Sequence, residues 1–116
     1  PSMKDKMTGI SYRVPVADVS LVDLNVLLKK ETTYDEICKK MKEASETYMK
    51  GVLEYVDDEV VSSDFIGDSH TSIFDAREGI AVNDKLFKLI AFYDNEYGYS
   101  SKVLELIKHM YSVDNK

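Results

Sequence analysis

The apolar and polar positions near the end of the chain predict a buried strand, a polar turn and a helix in succession. Residues 86–93 are almost all apolar or aromatic, which is typical of a strand covered on both faces. The run stops at residues 94–96, and Gly98 permits a change of direction. Ser100 or Ser101 is predicted to cap the helix that follows. That helix is expected to pack into the core through Val103, Leu104, Ile107, Met110 and Tyr111.

Two stretches nearer the start alternate between apolar and polar residues, which predicts strands. Residues 8–14 form the first, and Pro15 ends it because proline cannot donate to a ladder. Residues 19–30 form the second, with one apolar and one mixed face. The apolar face holds Val22, Leu24, Val26 and Leu28, and the mixed face holds Leu21, Asp23, Asn25, Leu27 and Lys29. The mixed face fits a two-sided strand inside its own domain, which the sequence favours, or contact with a partner subunit.

A capping box predicts the first helix. Thr33 is its N-cap, and Glu36 follows three residues later. The helix is predicted to run to about Tyr48, with Gly51 as a stop signal. Its apolar stripe is expected to contain Ile37, Cys38, Met41, Ala44, Ser45 and Tyr48.

The middle of the chain predicts shorter elements. Residues 53–65 are expected to form turns with one or two short extended pieces, followed by a loop at 67–70. Short strands are predicted at 71–75 and 79–82, before a tight turn at Asn83. Hairpin spacing dominates and no βαβ rhythm repeats. We therefore expect a single domain over 1–116 with an α+β fold, namely a mixed, mainly antiparallel sheet with two amphipathic helices on one face.

Composition narrows the classes of partner. The formal net charge of -6 argues against nucleic acid or an anionic membrane surface as the main partner, although a local basic pocket for a small phosphate remains compatible with it. No apolar run is long enough to span a bilayer, so we expect no membrane partner. Cys38 is the only cysteine, which excludes an internal disulfide and a Cys-rich zinc site.

Three positions could bind a ligand. The guanidinium of Arg13, just before Pro15, is a fork that suits a phosphate, although a salt-bridged surface arginine is the interpretation that spacing favours. Asn95 carries an amide that can pair with a carboxamide ligand, and Tyr99 carries a ring that can lie against a flat heterocycle. The residues alone favour structural roles for Asn95 in the turn and for Tyr99 in packing.

The reactive side chains elsewhere predict no catalytic or metal-binding residue. Cys38 lies on the apolar stripe of the first helix with no histidine near it in sequence, which indicates a core residue. His70 and His109 are isolated from each other and from any paired cysteine or glutamate spacing. We expect structural or solvated roles for both histidines.

Several segments together resemble glyceraldehyde-3-phosphate dehydrogenase. Residues 93–100 are similar to the family's Tyr-Asp-Asn-Glu-aromatic-Gly-Tyr-Ser segment. Residues 7–15 and 18–24 are similar to its Arg-Val-Pro and Val-Asp-Leu strands. Residues 44–53, 61–65 and 72–75 also fit. The resemblance covers nearly the whole chain but corresponds only to the last third or so of the family's chain.

The resemblance implies an activity and a role for each candidate residue. The family uses NAD and inorganic phosphate to oxidise glyceraldehyde 3-phosphate to 1,3-bisphosphoglycerate in glycolysis. It implies that Arg13 contacts substrate or inorganic phosphate and that Asn95 holds the nicotinamide carboxamide. It also implies that Tyr99 lies against the nicotinamide site. Cytoplasmic location and a homotetramer are implied for the parent protein.

The chain departs from the family pattern in what it lacks. No segment resembles the family's Ser-Cys-Thr-Thr-Asn-Cys stretch with its catalytic cysteine, and the Gly-rich nucleotide-binding half has no counterpart. We therefore expect the C-terminal part of a catalytic domain, which needs the remainder of the parent chain and is inactive alone. Two alternatives stay open: a non-catalytic interaction domain, and part of a related dehydrogenase acting on erythrose 4-phosphate.

Overall fold

Four strands, two α-helices and a short 3-10 helix make up the computed structural model, which describes residues 3–115. In chain order they are β1 (Ser20–Leu27), α1 (Tyr34–Glu46), β2 (Leu53–Val56), the 3-10 helix (Ser62–Phe65), β3 (Ser72–Ala81), β4 (Leu86–Tyr93) and α2 (Tyr97–Asp114). Neither α-helix in the described range combines the length and the hydropathy that a bilayer span needs.

The strands form one sheet in the order β1-β4-β3-β2. The pairs β1–β4 and β4–β3 are antiparallel, whereas β2–β3 is parallel. The predicted α+β class, with a mixed and mainly antiparallel sheet and two helices, is therefore confirmed. The continuous apolar run of β4 lies inside the sheet, where strands flank it on both sides, as expected for a strand without a solvent face.

Both faces of the sheet carry a core because successive side chains of a strand point to opposite faces. On one face, Phe74 packs with Ala44 of α1 and Leu53 of β2. On the other face, Ile73 packs in a second cluster. The other buried members of that second cluster are Val19, Phe65, Ile90 and Phe92.

The capping box of α1 is confirmed. Thr33 Oγ1 accepts from the Glu36 backbone N–H, and the Glu36 carboxylate accepts from the Thr33 backbone N–H. The helix ends at Glu46, before the predicted end, and Gly51 takes a left-handed φ of 79°. Tyr48 therefore lies beyond the helix and is exposed, so its place on the apolar stripe was predicted wrongly.

The strand predicted at residues 8–14 is absent, and the structure leaves that segment irregular and exposed. Ile10 and Tyr12 are 79% and 80% exposed. No described strand pairs with this segment, and alternation alone does not make a strand without a ladder partner. The following strand is shorter than predicted at both ends. Val19 adopts a φ of 69°, so extended backbone starts only at Ser20, and the strand ends at Leu27.

The two short strands predicted around residues 71–82 are one strand, β3. Its pairing with β4 is irregular between Asp75 and Ile80. There, Asp75 Oδ1 accepts from the backbone N–H groups of Arg77 and Glu78. The buried carboxylate of Asp75 thus satisfies backbone donors where the ladder is interrupted, between the two segments that were predicted as separate strands.

Helix α2 differs most from its prediction. It begins at Tyr97, and Ser100 lies inside it, where its Oγ donates to the Glu96 carbonyl. The side chains predicted to be its core positions are exposed, from 39% at Val103 to 70% at Tyr111. Its first turns are held by Lys102, whose Nζ donates to the Gly51 carbonyl at 2.7 Å. The prediction that α2 packs into the core of the described residues was wrong.

Candidate functional site

A buried aspartate builds the turn between β4 and α2. Asp94 is 2% exposed, and its Oδ1 accepts from the backbone N–H groups of Glu96 and Tyr97 at 2.8 and 2.7 Å. Its Oδ2 accepts from the Gly67 N–H at 2.7 Å. These donors and the positive end of the α2 dipole stabilise the charged carboxylate. The turn therefore has a fixed geometry at the end of a buried strand.

The pKa of Asp94 reflects a competition between burial and hydrogen bonding. Burial removes water from the carboxylate and by itself raises the pKa. The backbone N–H groups of Tyr97, Gly67 and Glu96 outweigh this and hold the pKa below its ordinary value. The ionised form of Asp94 is thus part of the folded turn.

Asn95 projects from this turn beside the first residue of β1. The Ser20 hydroxyl donates to Asn95 Oδ1 at 2.9 Å, across the end of the β1–β4 ladder, where Ser20 pairs with Tyr93. Asn95 Nδ2 has no partner among residues 3–115. Because a hydroxyl can donate or accept, either orientation of the amide keeps this bond and leaves one amide atom available to a ligand.

Tyr99 lies in the first turn of α2, four residues after Asn95. Its side chain is 75% exposed, so the alternative that it packs in the interior does not hold for the described residues. An exposed aromatic ring next to an anchored amide can cover one side of a flat heterocycle.

Arg13 lies in the exposed irregular segment before β1. That segment leads into β1, whose first residue, Ser20, contacts Asn95. Whereas Arg77 pairs with Glu59 at 3.2 Å, Arg13 forms no ion pair with another residue of the range 3–115. The salt-bridged alternative is therefore not found there. The structure brings Asn95 and Tyr99 onto one turn and does not join Arg13 to them by a direct contact.

The reactive residues of α1 and α2 show no activating contacts. Cys38 is half-buried and packs at the edge of the core beneath α1, as predicted. Burial raises the pKa of its thiol, and this disfavours the nucleophilic thiolate. His109 is exposed late in α2.

Sequence reasoning missed a cluster formed by Glu54, Asp68 and His70. His70 Nδ1 lies 2.8 Å from Asp68 Oδ1 and 3.4 Å from Glu54 Oε2. Burial and the neighbouring Asp68 carboxylate raise the pKa of Glu54. Burial opposes the ionisation of Asp68, but hydrogen bonds from the backbone and ring of His70 lower its pKa below the ordinary value. No local pattern predicts this cluster, because Glu54 belongs to β2 whereas Asp68 and His70 lie in the loop before β3.

Comparison with known proteins gives a consistent result. The family model described as "Glyceraldehyde 3-phosphate dehydrogenase, C-terminal domain" matches residues 1–95. Glyceraldehyde-3-phosphate dehydrogenase of Chlamydia pneumoniae is 58% identical over 110 residues, covering 95% of this chain and 33% of that protein. The cytosolic enzyme GAPC2 of Arabidopsis thaliana is 60% identical over 110 residues, covering 95% of this chain and 32% of that protein. Glyceraldehyde-3-phosphate dehydrogenase 3 of Saccharomyces cerevisiae is 58% identical over 110 residues, with coverages of 95% and 33%. The chain thus spans about one third of the length of these relatives.

Proposed function

Because this chain belongs to the glyceraldehyde 3-phosphate dehydrogenase family, we propose that it is the C-terminal part of the catalytic domain of an NAD-dependent phosphorylating dehydrogenase. The parent protein converts glyceraldehyde 3-phosphate and inorganic phosphate to 1,3-bisphosphoglycerate in glycolysis. This chain, residues 1–116, contributes contacts to phosphate and nicotinamide. The observation that carries the proposal is the Asn95 amide, fixed by Ser20 on the rigid Asp94 turn.

The residues of the turn fit a nicotinamide carboxamide. Asn95 offers an amide whose orientation is restrained on one side by Ser20, so it can exchange hydrogen bonds with a second amide. Tyr99 presents an exposed ring one helical turn away. Together, Asn95 and Tyr99 would orient the nicotinamide ring of NAD, which is the hydride acceptor. Holding one ring face toward the substrate raises the rate by positioning.

Arg13 is proposed as the phosphate contact of this chain. A guanidinium presents two parallel N–H donors that match two phosphate oxygens, and it stays charged at any physiological pH. Its exposed position without an ion pair in the described range supports availability to an anion.

The remainder of the parent chain is proposed as the partner of the exposed apolar surfaces. The apolar side chains of α2 and of residues 10–16 are more exposed than is usual for a domain that folds without a partner. The mixed face of β1, with Leu21 and Leu27 at 55% and 74% exposure, supports a subunit contact in a homotetramer. Because the chain has no counterpart of the family's catalytic-cysteine segment, we expect it to be inactive alone. We propose the cytosol as its compartment, as the name of the Arabidopsis relative says of that protein.

Replacing Asn95 in the intact parent protein tests the proposed function. In Asn95→Ala, loss of the carboxamide contact should cost about 1–3 kcal/mol, which is roughly a 5- to 150-fold loss in kcat/KM for NAD. Asn115→Ala, at the exposed C-terminal end of α2, is the matched control and should leave the kinetics unchanged. Unchanged turnover in Asn95→Ala would remove this residue from the site.

The same assay separates the alternative functions. Glyceraldehyde 3-phosphate and erythrose 4-phosphate are offered in parallel, and the substrate with the higher kcat/KM identifies the aldehyde. Arg13→Ala should raise the phosphate concentration needed for half-maximal rate with the preferred substrate. An intact protein that turns over neither aldehyde phosphate would favour the interaction domain over the enzyme.

A further inference from the structure

Three side chains with metal-ligating atoms converge beside the end of α1. Glu54 comes from β2, and Asp68 and His70 come from the loop before β3. One ligand atom from each lies within 4.8 Å of the others. The set mixes one imidazole nitrogen with two carboxylate oxygens, which is a donor set that zinc accepts.

The backbone fixes these residues relative to one another. The N–H groups of Thr71 and Ser72 both donate to the Val52 carbonyl, at 2.9 and 3.2 Å, which holds the loop against the start of β2. The parallel pairing of β2 with β3 then continues from Leu53 and Ser72. The pairing of β2 with β3 therefore fixes the backbone positions from which the three side chains extend.

One atom of the cluster lacks a partner. Glu54 Oε2 itself is shielded from solvent and forms no hydrogen bond with residues 3–115, although the rest of the Glu54 side chain is partly exposed and His70 Nδ1 lies 3.4 Å away. A buried carboxylate oxygen without a donor costs free energy, so it is an arrangement that needs a reason. A cation between Glu54, Asp68 and His70 would supply one, because it would attract both carboxylates at once.

We propose that Glu54, Asp68 and His70 form a binding site for Zn²⁺, with a fourth position open to water. Ligand atoms around tetrahedral zinc are about 3.3 Å apart. His70 Nδ1 lies 3.4 Å from Glu54 Oε2, close to that value. The 2.8 Å to Asp68 Oδ1 is a hydrogen bond, so binding through Nδ1 requires the ring proton to be released to solvent or carried on Nε2. Two carboxylates also balance the charge of the ion.

A pocket of about 320 Å³ opens beside Glu54 and His70 and gives room for the water ligand. The other charged residues that line the pocket are two lysines, Lys42 and Lys50, and two acidic residues, Glu46 and Asp57. The net charge of these four flanking residues is zero, so we expect the three ligands to provide most of the attraction for the ion. The expectation of no metal ligands in the sequence would be overturned by this site.

The ion would also hold the loop that carries His70 in place against the start of α2. The His70 carbonyl lies against Gly98, so closely that a Cβ built there would be 2.9 Å from it. Gly98 is the second residue of α2 and the neighbour of Tyr99. Holding His70 would thus stabilise the start of the helix that carries Tyr99.

The test is zinc binding by the intact, chelator-treated parent protein, measured by titration calorimetry with ZnCl₂ and by visible absorption with Co²⁺. We expect Glu54→Gln and His70→Ala to weaken one site at least about tenfold and to change the Co²⁺ spectrum. Glu46→Gln, a carboxylate on the pocket wall outside the cluster, should bind as the unmodified protein does.

A second measurement guards against variants that misfold. Zinc should raise the thermal midpoint of the unmodified protein and of Glu46→Gln, and should not raise that of the near-isosteric Glu54→Gln or Asp68→Asn. The proposal would be overturned if zinc did not bind, or if it bound the cluster variants as well as it binds the control. Glu54, Asp68 and His70 would then form only an ion-pair cluster without a metal. None of these readouts depends on dehydrogenase activity.

Discussion

Similar apolar residues are buried in one region of the molecule and exposed in another. The first region is the sheet with α1, and the second comprises the segment before β1 together with α2. In the sheet, Ile73 and Phe74 are almost completely buried. In the irregular segment before β1 and along α2, residues such as Ile10 and Leu104 stay 79% and 62% exposed. The difference lies in whether neighbouring elements cover them. The proposed ligand contacts fall at the boundary or in the exposed part, with Asn95 at the junction.

The largest expected effect of a substitution is in the covered region. Phe74→Ala removes a side chain that is 2% exposed, and should lower the free energy of unfolding by about 3–5 kcal/mol. Ile80→Ala, in the same strand but 55% exposed, should cost less than about 1 kcal/mol. Urea unfolding of the intact protein measures both. Equal costs would contradict the division into covered and exposed regions.

The boundary between the two regions is tested at Gly98. In Gly98→Ala, the new Cβ meets the His70 carbonyl and should destabilise the protein by about 1–3 kcal/mol. The control is Gly9→Ala in the exposed segment, where a Cβ would meet nothing within 4 Å. Thermal unfolding compares them, and a neutral Gly98→Ala would mean that α2 is not seated on this loop.

The Asp94 turn predicts a specific dependence on pH. Because folding lowers the pKa of Asp94, its contribution is present at neutral pH and is lost as pH falls through its folded pKa, below the ordinary value of about 4. Asp94→Asn should lower the thermal midpoint at pH 7, since its amide would face the Gly67 N–H with a second donor. The difference in thermal midpoint between Asp94→Asn and the unmodified protein should become smaller below about pH 4. Asp57→Asn, an exposed carboxylate, should show no such convergence.

The smallest effect on stability is expected at Tyr99. Tyr99→Ala should change the free energy of unfolding by no more than about 0.5 kcal/mol, because the side chain is 75% exposed. Loss of its proposed stacking contact should nevertheless raise the Kd for NAD roughly 2- to 10-fold. Tyr48→Ala, 79% exposed after α1, is the control for general effects of removing a ring. Equal NAD affinity in the two variants would argue against the contact.

Local signals in the sequence predicted the elements whose determinants are local. The Thr33 and Glu36 box located α1, and the apolar run before Asp94 located β4. The turn at Asn83 was also predicted, and its Oδ1 accepts from the N–H groups of Lys85 and Leu86. In each case the hydrogen bonds that define the element join residues a few positions apart.

Errors arose where the outcome depends on distant residues. Residues 8–14 alternate like a strand, but a strand needs a partner. Helix α2 starts under the control of Asp94, a buried carboxylate whose importance the sequence did not reveal, and not of the serines inside it. The family resemblance supplied the proposed roles of Asn95 and Arg13, whereas periodicity alone favoured structural ones. The grouping of Glu54 with His70 needed the parallel pairing of β2 and β3.

The bond between Ser20 and Asn95 joins residues 75 positions apart. A ribosome therefore releases Ser20 well before Asn95 is made, and the amide can be anchored only after β4 has paired with β1. If Asn95 binds the nicotinamide as proposed, the affinity for NAD would report whether β1 and β4 have paired. A nascent chain halted before residue 95 would lack the contact, whatever secondary structure it had already acquired.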